Sequence, residues 1–273
     1  MNIIRTLSVV LLTTLLAACG GATPPGPVTP PPSPSTPGQP APVPPGTPAP
    51  EDPVQAMAYT MQGVVVNAQG EPLAGVEVWA DNTLYYNMNA LGVTDSHGHY
   101  RIELPREQLG TWRAGGRFLR TYHGETYDLG LVVDDEAPFQ ADDGAVRNFT
   151  LLTSGPRPDG GAYGGTVWAY GNYSNGNFQN KDVELTLTPD GPLLDGSAGT
   201  VLKRFLDGST VRDVPIGRYT VTARYVPQGE EPQEMLVMRQ DETIFAPSTT
   251  LMFRKEPGYG VMADFNLKRA SKP

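Results

Sequence analysis

Few residues of this 273-residue chain have side chains suited to covalent or acid–base chemistry. It has one cysteine, Cys19, and three histidines, two of which, His97 and His99, flank a glycine in a pattern typical of a surface turn. The sequence contains neither a His-Glu-x-x-His zinc motif nor a Gly-x-Ser-x-Gly nucleophile elbow. Because a nucleophile would find few bases to activate it, the sequence predicts a protein that is not an enzyme and needs no cofactor.

Carboxylates outnumber basic side chains, and several of them are clustered. The clusters are Asp134-Asp135-Glu136, Asp142-Asp143, and Asp190 with Asp195. None of them has the residue spacing of a defined calcium loop. We therefore expect solvated acidic faces and no metal site, with calcium binding as the alternative.

The charge balance bears on the class of partner. The formal net charge is -9 at pH 7. Binding to the phosphates of DNA or RNA needs concentrated lysine and arginine. The sequence therefore argues against a nucleic-acid partner.

One stretch, WAYGNYSNGNFQNKD from Trp168 to Asp182, mixes aromatic and amide side chains. Its aromatic members are the candidate binding residues Trp168, Tyr170, Tyr173 and Phe178. Such a mixture suits stacking on a sugar ring while the amides bond its hydroxyl groups. The alternative is that the first two aromatic residues complete a strand and the Asn-Gly pairs form a long turn. In either case we expect the loop from Gly171 to Lys181 to project from one end of its domain.

The single cysteine follows a segment with the layout of an export signal. A start that carries Arg5 precedes an apolar run from Leu7 to Ala18, which is shorter than the roughly 20 residues of a permanent membrane helix. Leu16-Ala17-Ala18-Cys19 resembles the lipobox of bacterial lipoproteins. The resemblance implies that residues 1–18 are a signal peptide and that the Cys19 thiol is acylated after cleavage.

This resemblance also implies a location. Acyl chains on Cys19 would hold the mature protein on a membrane. Residue 20 is glycine and not aspartate, which in some two-membrane bacteria favours sorting to the outer membrane. We expect an exported protein that is lipid-anchored to the cell envelope, at the outer membrane or cell surface and not at the inner membrane.

Residues 19–56 form a proline-rich segment. Fifteen of the thirty positions from Pro24 to Pro53 are proline. Such a composition buries too little apolar surface to offset the entropy of ordering. The sequence predicts a disordered, semi-rigid linker that separates the membrane from the rest of the chain.

The remainder of the chain shows the alternation of β-strands. Every second side chain is apolar or aromatic in Val76–Ala80, Tyr100–Leu104, Val183–Leu187 and Tyr219–Tyr225. Glycine-containing turn signals separate these runs, and little of the sequence has helical periodicity. The fold class predicted is all-β, with two tandem β-sandwiches.

An internal repetition divides this part of the chain. Gly165–Trp168 echoes Gly63–Val66, and the hairpin Val211–Tyr219 echoes Thr94–Tyr100. We therefore expect one sandwich over residues 57–153 and a second, diverged sandwich over 162–270. Chance similarity of Gly-Val and Gly-Tyr turns is the alternative.

Residues 61–104 resemble the carboxypeptidase regulatory-like domain. The motifs that carry the resemblance are Gly63 in a first strand, a Gly-x-Pro-Leu-x-Gly-Val turn at Gly70–Val76, and a Thr-Asp-x-x-Gly-x-Tyr hairpin at Thr94–Tyr100. The family implies a transthyretin-like (immunoglobulin-like) sandwich of about seven strands with no catalytic residues. The second half resembles a diverged copy in which the Gly-x-Pro-Leu turn is missing.

Two function classes follow from these observations. The first is a non-catalytic, lipid-anchored envelope protein whose β-sandwiches have a structural or protein-interaction role. The alternative is a surface carbohydrate-binding lipoprotein. The expected partners are the membrane, through the lipid, and an envelope protein or glycan.

Overall fold

A computed structural model describes residues 55–106, 110–173 and 177–270. Its secondary structure is almost entirely β-strand, with a 3₁₀ turn at Asn180–Asp182. Within these ranges no helix is long and apolar enough to cross a membrane. The predicted signal peptide, Cys19 and the proline-rich segment to residue 54 lie outside the described residues. The expected all-β sandwich class is confirmed.

The first nine strands form two sheets. The strands are β1 Thr60–Asn67, β2 Glu77–Asn82, β3 Asn89–Val93, β4 His99–Glu103, β5 Trp112–Tyr122, β6 Glu125–Gly130, β7 Val132–Val133, β8 Ala145–Val146 and β9 Phe149–Leu151. One sheet has the order β4-β1-β9-β7, with β8 also paired to β1, and the other has the order β3-β2-β5-β6. Strand β1 runs antiparallel to β4 and parallel to β9.

The alternating side chains explain why these strands pair as they do. Met61 and Val65 of β1 are buried while Gln62 and Val64 between them are half-buried. Their buried face meets Trp112 and the other core residues of the facing sheet. The turn before β4 needs a glycine, since Gly98 has φ +75° and a Cβ there would lie 2.6 Å from the Val65 carbonyl oxygen.

The last nine strands form one continuous sheet. The strands are β10 Gly165–Gly171, β11 Val183–Pro189, β12 Leu202–Phe205, β13 Thr210–Val214, β14 Arg218–Tyr225, β15 Gln233–Arg239, β16 Thr249–Met252, β17 Arg254–Glu256 and β18 Gly260–Arg269. The order is β12-β11-β14-β15-β18-β10-β13, with β16 also paired to β14 and β17 to β18. Strand β10 runs antiparallel to β13 and parallel to β18.

This sheet passes from one layer to the other through the β14–β15 hairpin. Only Arg224↔Glu234 and Tyr225↔Gln233 pair between these two strands. Strand β15 then leaves β14 and pairs along its length with β18. The buried residues of both layers, such as Leu185, Val221 and Phe265, belong to one apolar core.

Side chains of β5 and β6 hold the two strand sets against each other. The Tyr127 hydroxyl donates to the Phe253 carbonyl oxygen, and the Tyr122 hydroxyl donates to the Pro192 carbonyl oxygen at 2.8 Å. The Tyr122 oxygen also accepts from the Arg218 N–H at 3.1 Å. The described residues belong to one compact unit that runs from Glu51 to Pro273. The boundary between two sandwiches, expected between residues 153 and 162, stays a prediction.

Candidate functional site

Two of the candidate binding residues, half-buried Trp168 and exposed Tyr170, form an aromatic surface on the outer face of β10. The rings of Trp168 and Tyr170 have centroids 6.3 Å apart and planes only 19° from parallel. Because Val167 and Ala169 are fully buried, period-2 alternation turns both aromatic rings to the outer face of the sheet. Tyr170 is 40% exposed.

A third aromatic residue completes this surface. Tyr259 lies in the turn between β17 and β18, is 66% exposed, and packs edge-on against Trp168 with centroids 6.4 Å apart. We call Trp168, Tyr170 and Tyr259 the aromatic platform. Sequence reasoning missed Tyr259, because its approach to Trp168 depends on the parallel pairing of β10 with β18, between segments about ninety residues apart.

Polar side chains of the neighbouring strand lie beside the platform. In the register of the two strands Asp264 is opposite Trp168, and Asn266 is opposite Tyr170. Asp264 accepts a 2.6 Å hydrogen bond from Nη1 of Arg254, and this bond raises the pKa of that guanidinium. Burial, followed by the Asp264 charge, raises the pKa of Tyr170. The Tyr170 hydroxyl therefore remains a protonated hydrogen-bond donor at neutral pH.

A cleft of about 620 Å³ adjoins the platform. Trp168 and Tyr259 line it, together with Tyr163 and the basic residues Arg212 and Lys255. The β6 segment from Tyr127 to Gly130 also lines it. An aromatic wall with charged donors nearby is the arrangement of a polar-ligand site, and it offers ring faces and hydrogen bonds to the same ligand.

Some of the charge in the cleft has a structural role. Asp213, at φ +55°, accepts from the Gly155 N–H at 2.8 Å and from the Gly164 N–H at 3.2 Å. The guanidinium of Arg157 donates to the Ala162 carbonyl oxygen at 2.9 Å and lies over the Tyr163 ring. These contacts fix the connection between β9 and β10 and leave Arg212 and Lys255 as the basic groups that face the cleft.

The other two candidate residues do not join the platform. Phe178 is only 6% exposed and packs against Tyr225, with centroids 6.2 Å apart, so it does not project from the loop as expected. Tyr173 is exposed and lies on Phe178 at 4.9 Å between centroids. Residues 174–176 of this loop lie outside the described residues. The four aromatic residues thus separate into a pair on the outer face of β10 and a second pair, Tyr173 and Phe178, whose rings pack on each other.

Several carboxylates of the acidic clusters bond groups of the chain itself. Asp135 pairs with Arg147 at 3.0 Å and accepts from the Ala137 N–H. Asp190 pairs with Arg218 at 2.9 Å. The buried carboxylate of Asp195 accepts hydrogen bonds from Ser197 and Thr153. Over the residues that the structure covers, no group of three histidine, cysteine or acidic side chains is placed to hold a metal ion.

Neither known protein families nor curated proteins give a match to this sequence. Among solved structures, the Bacillus anthracis TIE protein aligns at 11% identity and a TM-score of 0.31, over 78% of this chain and 45% of that one. A streptococcal ancillary pilin aligns at 14% identity and a TM-score of 0.24, over 78% of this chain and 63% of that one. A B repeat unit of the collagen-binding surface protein of Staphylococcus aureus aligns at 8% identity and a TM-score of 0.21, over 79% and 100%.

The chain thus spans less than half of the TIE protein structure and less than two thirds of the pilin structure. At TM-scores this low the alignments carry no argument about family or function. The function proposed below is therefore argued from the side chains of this protein alone.

Proposed function

We propose that this chain is a non-catalytic, lipid-anchored protein of the cell envelope with a structural or protein-interaction role. The proposal depends on the contacts of the carboxylates that could otherwise act as acids or bases. Those of Asp135, Asp195 and Asp213 are bonded to Arg147, Ser197 and the Gly155 N–H and so stabilise loops. Large apolar side chains remain exposed, among them Tyr86 and Leu91. Exposed apolar surface on a folded body is typical of an interaction site.

The resemblances support the rest of this proposal. The lipobox-like sequence that ends at Cys19 supports lipid attachment, and Gly20 supports the outer membrane or cell surface as the location. We further infer that residues 61–104 belong to the carboxypeptidase regulatory-like class and that the chain contains two tandem sandwiches. The proline-rich segment would then hold the sandwiches away from the membrane.

The anchor is tested by replacing its attachment point. In the native protein, acyl chains that contribute about 0.8 kcal/mol per buried methylene should drive partition into detergent. Cys19→Ser should remain uncleaved or be released from the membrane. The measurement is phase separation in a detergent that clouds on warming, followed by mass determination of the N-terminal peptide. Recovery of native protein in the aqueous phase would refute lipid attachment.

Carbohydrate binding is a second candidate function, and the aromatic platform favours it. The rings of half-buried Trp168 and exposed Tyr170 lie with their planes nearly parallel on the outer face of β10 and can contact a sugar ring, while Asp264 and Asn266 bond hydroxyl groups. Tyr259 and the adjoining cleft extend this surface. The candidate site is therefore Trp168, Tyr170 and Tyr259, without Phe178.

Affinity electrophoresis through gels that contain soluble polysaccharides tests this candidate. If a glycan retards the native chain, Trp168→Ala should weaken binding about tenfold, equivalent to about 1.4 kcal/mol of lost stacking and contact. Tyr86→Ala is the matched control, because Tyr86 is a fully exposed aromatic residue away from the platform. Equal retardation of native and Trp168→Ala protein would exclude the platform as the glycan site.

A further inference from the structure

The β2–β3 hairpin exposes an unusual amount of apolar surface. Leu91 and Val93 of β3 are 66% and 64% exposed, and Leu84, Tyr85 and Tyr86 are exposed at the hairpin tip. A groove beside the hairpin is lined by Trp79 and the tip residues, with Asp81 of β2 and Arg113 of β5 at its border. From residue 82 to residue 93 the sequence contains no charged side chain.

Strand β3 is also an edge strand. It ends the order β3-β2-β5-β6, and no other strand in the described part of the chain pairs with it. The Asn82 N–H bonds the Met88 carbonyl oxygen and the Thr94 N–H bonds the Val76 carbonyl oxygen. By the alternation of an antiparallel ladder, residues 88, 90, 92 and 94 turn their backbone groups toward β2. Asn89, Leu91 and Val93 therefore turn theirs outward, away from the sheet.

Most of the other edge strands carry charge, and the uncharged edge strand β7 is only two residues long, which also limits pairing. Strand β4 carries Arg101, β12 carries Lys203 and β13 carries Arg212, each at the end of its sheet order. Charged residues on an edge strand discourage pairing with another chain. Strand β3 has neither a charged residue nor a proline. An apolar, uncharged edge of this kind is a template for strand addition.

From these observations we infer that β3 pairs antiparallel with β3 of a second copy of this chain, across a two-fold axis at Leu91. Centring at Leu91 is the register that uses every outward backbone group, because it pairs Leu91 with Leu91 and Asn89 with Val93 of the other copy. Centring one residue to either side leaves one of the three outward residues without a partner. No like charges are brought together by this pairing, because β3 has no charged residue.

The side chains on the outer face fit the same arrangement. Leu91 already lies opposite Trp79 in the β2–β3 register. The two-fold pairing brings the two Leu91 side chains together and forms a continuous apolar row from Trp79 of one copy to Trp79 of the other. It also places the exposed hairpin tip, Tyr86 included, alongside the turn at Asp95 of the other copy. A symmetric, self-complementary contact of this kind closes as a dimer and does not propagate.

Cysteine crosslinking in the full chain tests this inference, because Cys19 is the only native cysteine. In the proposed register the Cα atoms at position 91 are about 5.5 Å apart, within the range of a disulfide. At position 93 they are four residues out of register, or roughly 14 Å apart, outside that range. After mild oxidation, Leu91→Cys should therefore give roughly tenfold more disulfide-linked dimer than Val93→Cys.

The controls distinguish this register from random collision and from a different strand pairing. Val93→Cys matches Leu91→Cys in exposure, strand and sheet face, so random collision would crosslink both equally. Leu119→Cys, 56% exposed on the inner strand β5, should give no disulfide-linked dimer, like the parent chain. Equal crosslinking at positions 91 and 93, a disulfide to a different protein, or no dimer at position 91 would each overturn the inference.

A second measurement does not depend on thiol chemistry. Leu91→Lys places a charge at the centre of the pairing, where it faces its own symmetry mate. The native chain in detergent should sediment with the protein mass of a dimer, and Leu91→Lys should sediment with half that mass. Circular dichroism checks that the variant is folded. Equal protein mass for the two chains would contradict the β3 pairing.

Discussion

At the scale of single residues, Phe178 shows that an aromatic side chain in a polar loop need not be a binding residue. Phe178 lies in the core between Tyr173 and Tyr225. Gly171 makes this packing possible, because a Cβ there would lie 2.7 Å from the Tyr173 ring and 3.0 Å from the Phe178 ring. The sequence does not reveal this role, since strand alternation ends at Gly171 and composition alone cannot give the direction of a loop side chain.

The stability of two alanine variants separates the roles of this pair. Phe178→Ala should lower the free energy of unfolding by roughly 3 to 5 kcal/mol, because it empties a buried aromatic volume. Tyr173→Ala removes an exposed ring that covers Phe178 and should lower it by about 1 kcal/mol or less. Urea unfolding followed by circular dichroism measures both changes. Similar losses in the two variants would show that the Phe178 site is not a closed core.

At the scale of elements, the sequence predicts individual strands well. The alternating run at Val183–Leu187 falls in β11, and that at Tyr100–Leu104 falls in β4 except for its last residue. The closing segments of the two halves also match, since β9 and β18 both run parallel to the first strand of their half. Local alternation is sufficient for these predictions because it reports which face of a strand is buried.

The echo of the two Gly-x-Tyr hairpins is less exact at this scale. In the first half the hairpin joins β3 to β4, and β4 pairs with the first strand, β1. In the second half it joins β13 to β14, where β13 pairs with the first strand, β10, and β14 pairs with β11. The sequence match is therefore offset by one strand from the match in pairing. The internal duplication therefore stays a prediction.

Pairing between distant strands is what local patterns cannot give. The aromatic platform exists because Gly165–Gly171 and Gly260–Arg269 lie side by side, and this contact determines that Tyr259 meets Trp168. The free edge of β3 likewise follows from sheet order and not from the sequence of the strand. Two of the three residues of the candidate site, Trp168 and Tyr170, are thus predicted from the sequence, and Tyr259 is not.

At the scale of the whole molecule, the contacts of β5 and β6 link the two strand sets. Tyr127 is 1% exposed and donates to the Phe253 carbonyl oxygen, and Phe253 packs edge-on against Tyr219. Burial raises the pKa of Tyr127, so that its hydroxyl remains protonated and continues to donate. Arg120 adds a hydrogen bond to the Leu194 carbonyl oxygen at 3.2 Å. The core of the second strand set is therefore closed in part by side chains of the first.

This linkage predicts that a change at Tyr127 destabilises both strand sets. Tyr127→Phe keeps the ring but leaves the buried Phe253 carbonyl without its donor, which should lower stability by about 1 to 3 kcal/mol. Hydrogen exchange measured by mass spectrometry should show the protection of β1 and of β11 falling by the same free energy, because one cooperative unit opens. Tyr86→Phe, at an exposed site, should change neither. Loss of protection in β11 alone, with β1 unchanged, would contradict this prediction. It would show that the two strand sets unfold independently and that the Tyr127 hydroxyl stabilises only the second set, which contains Phe253.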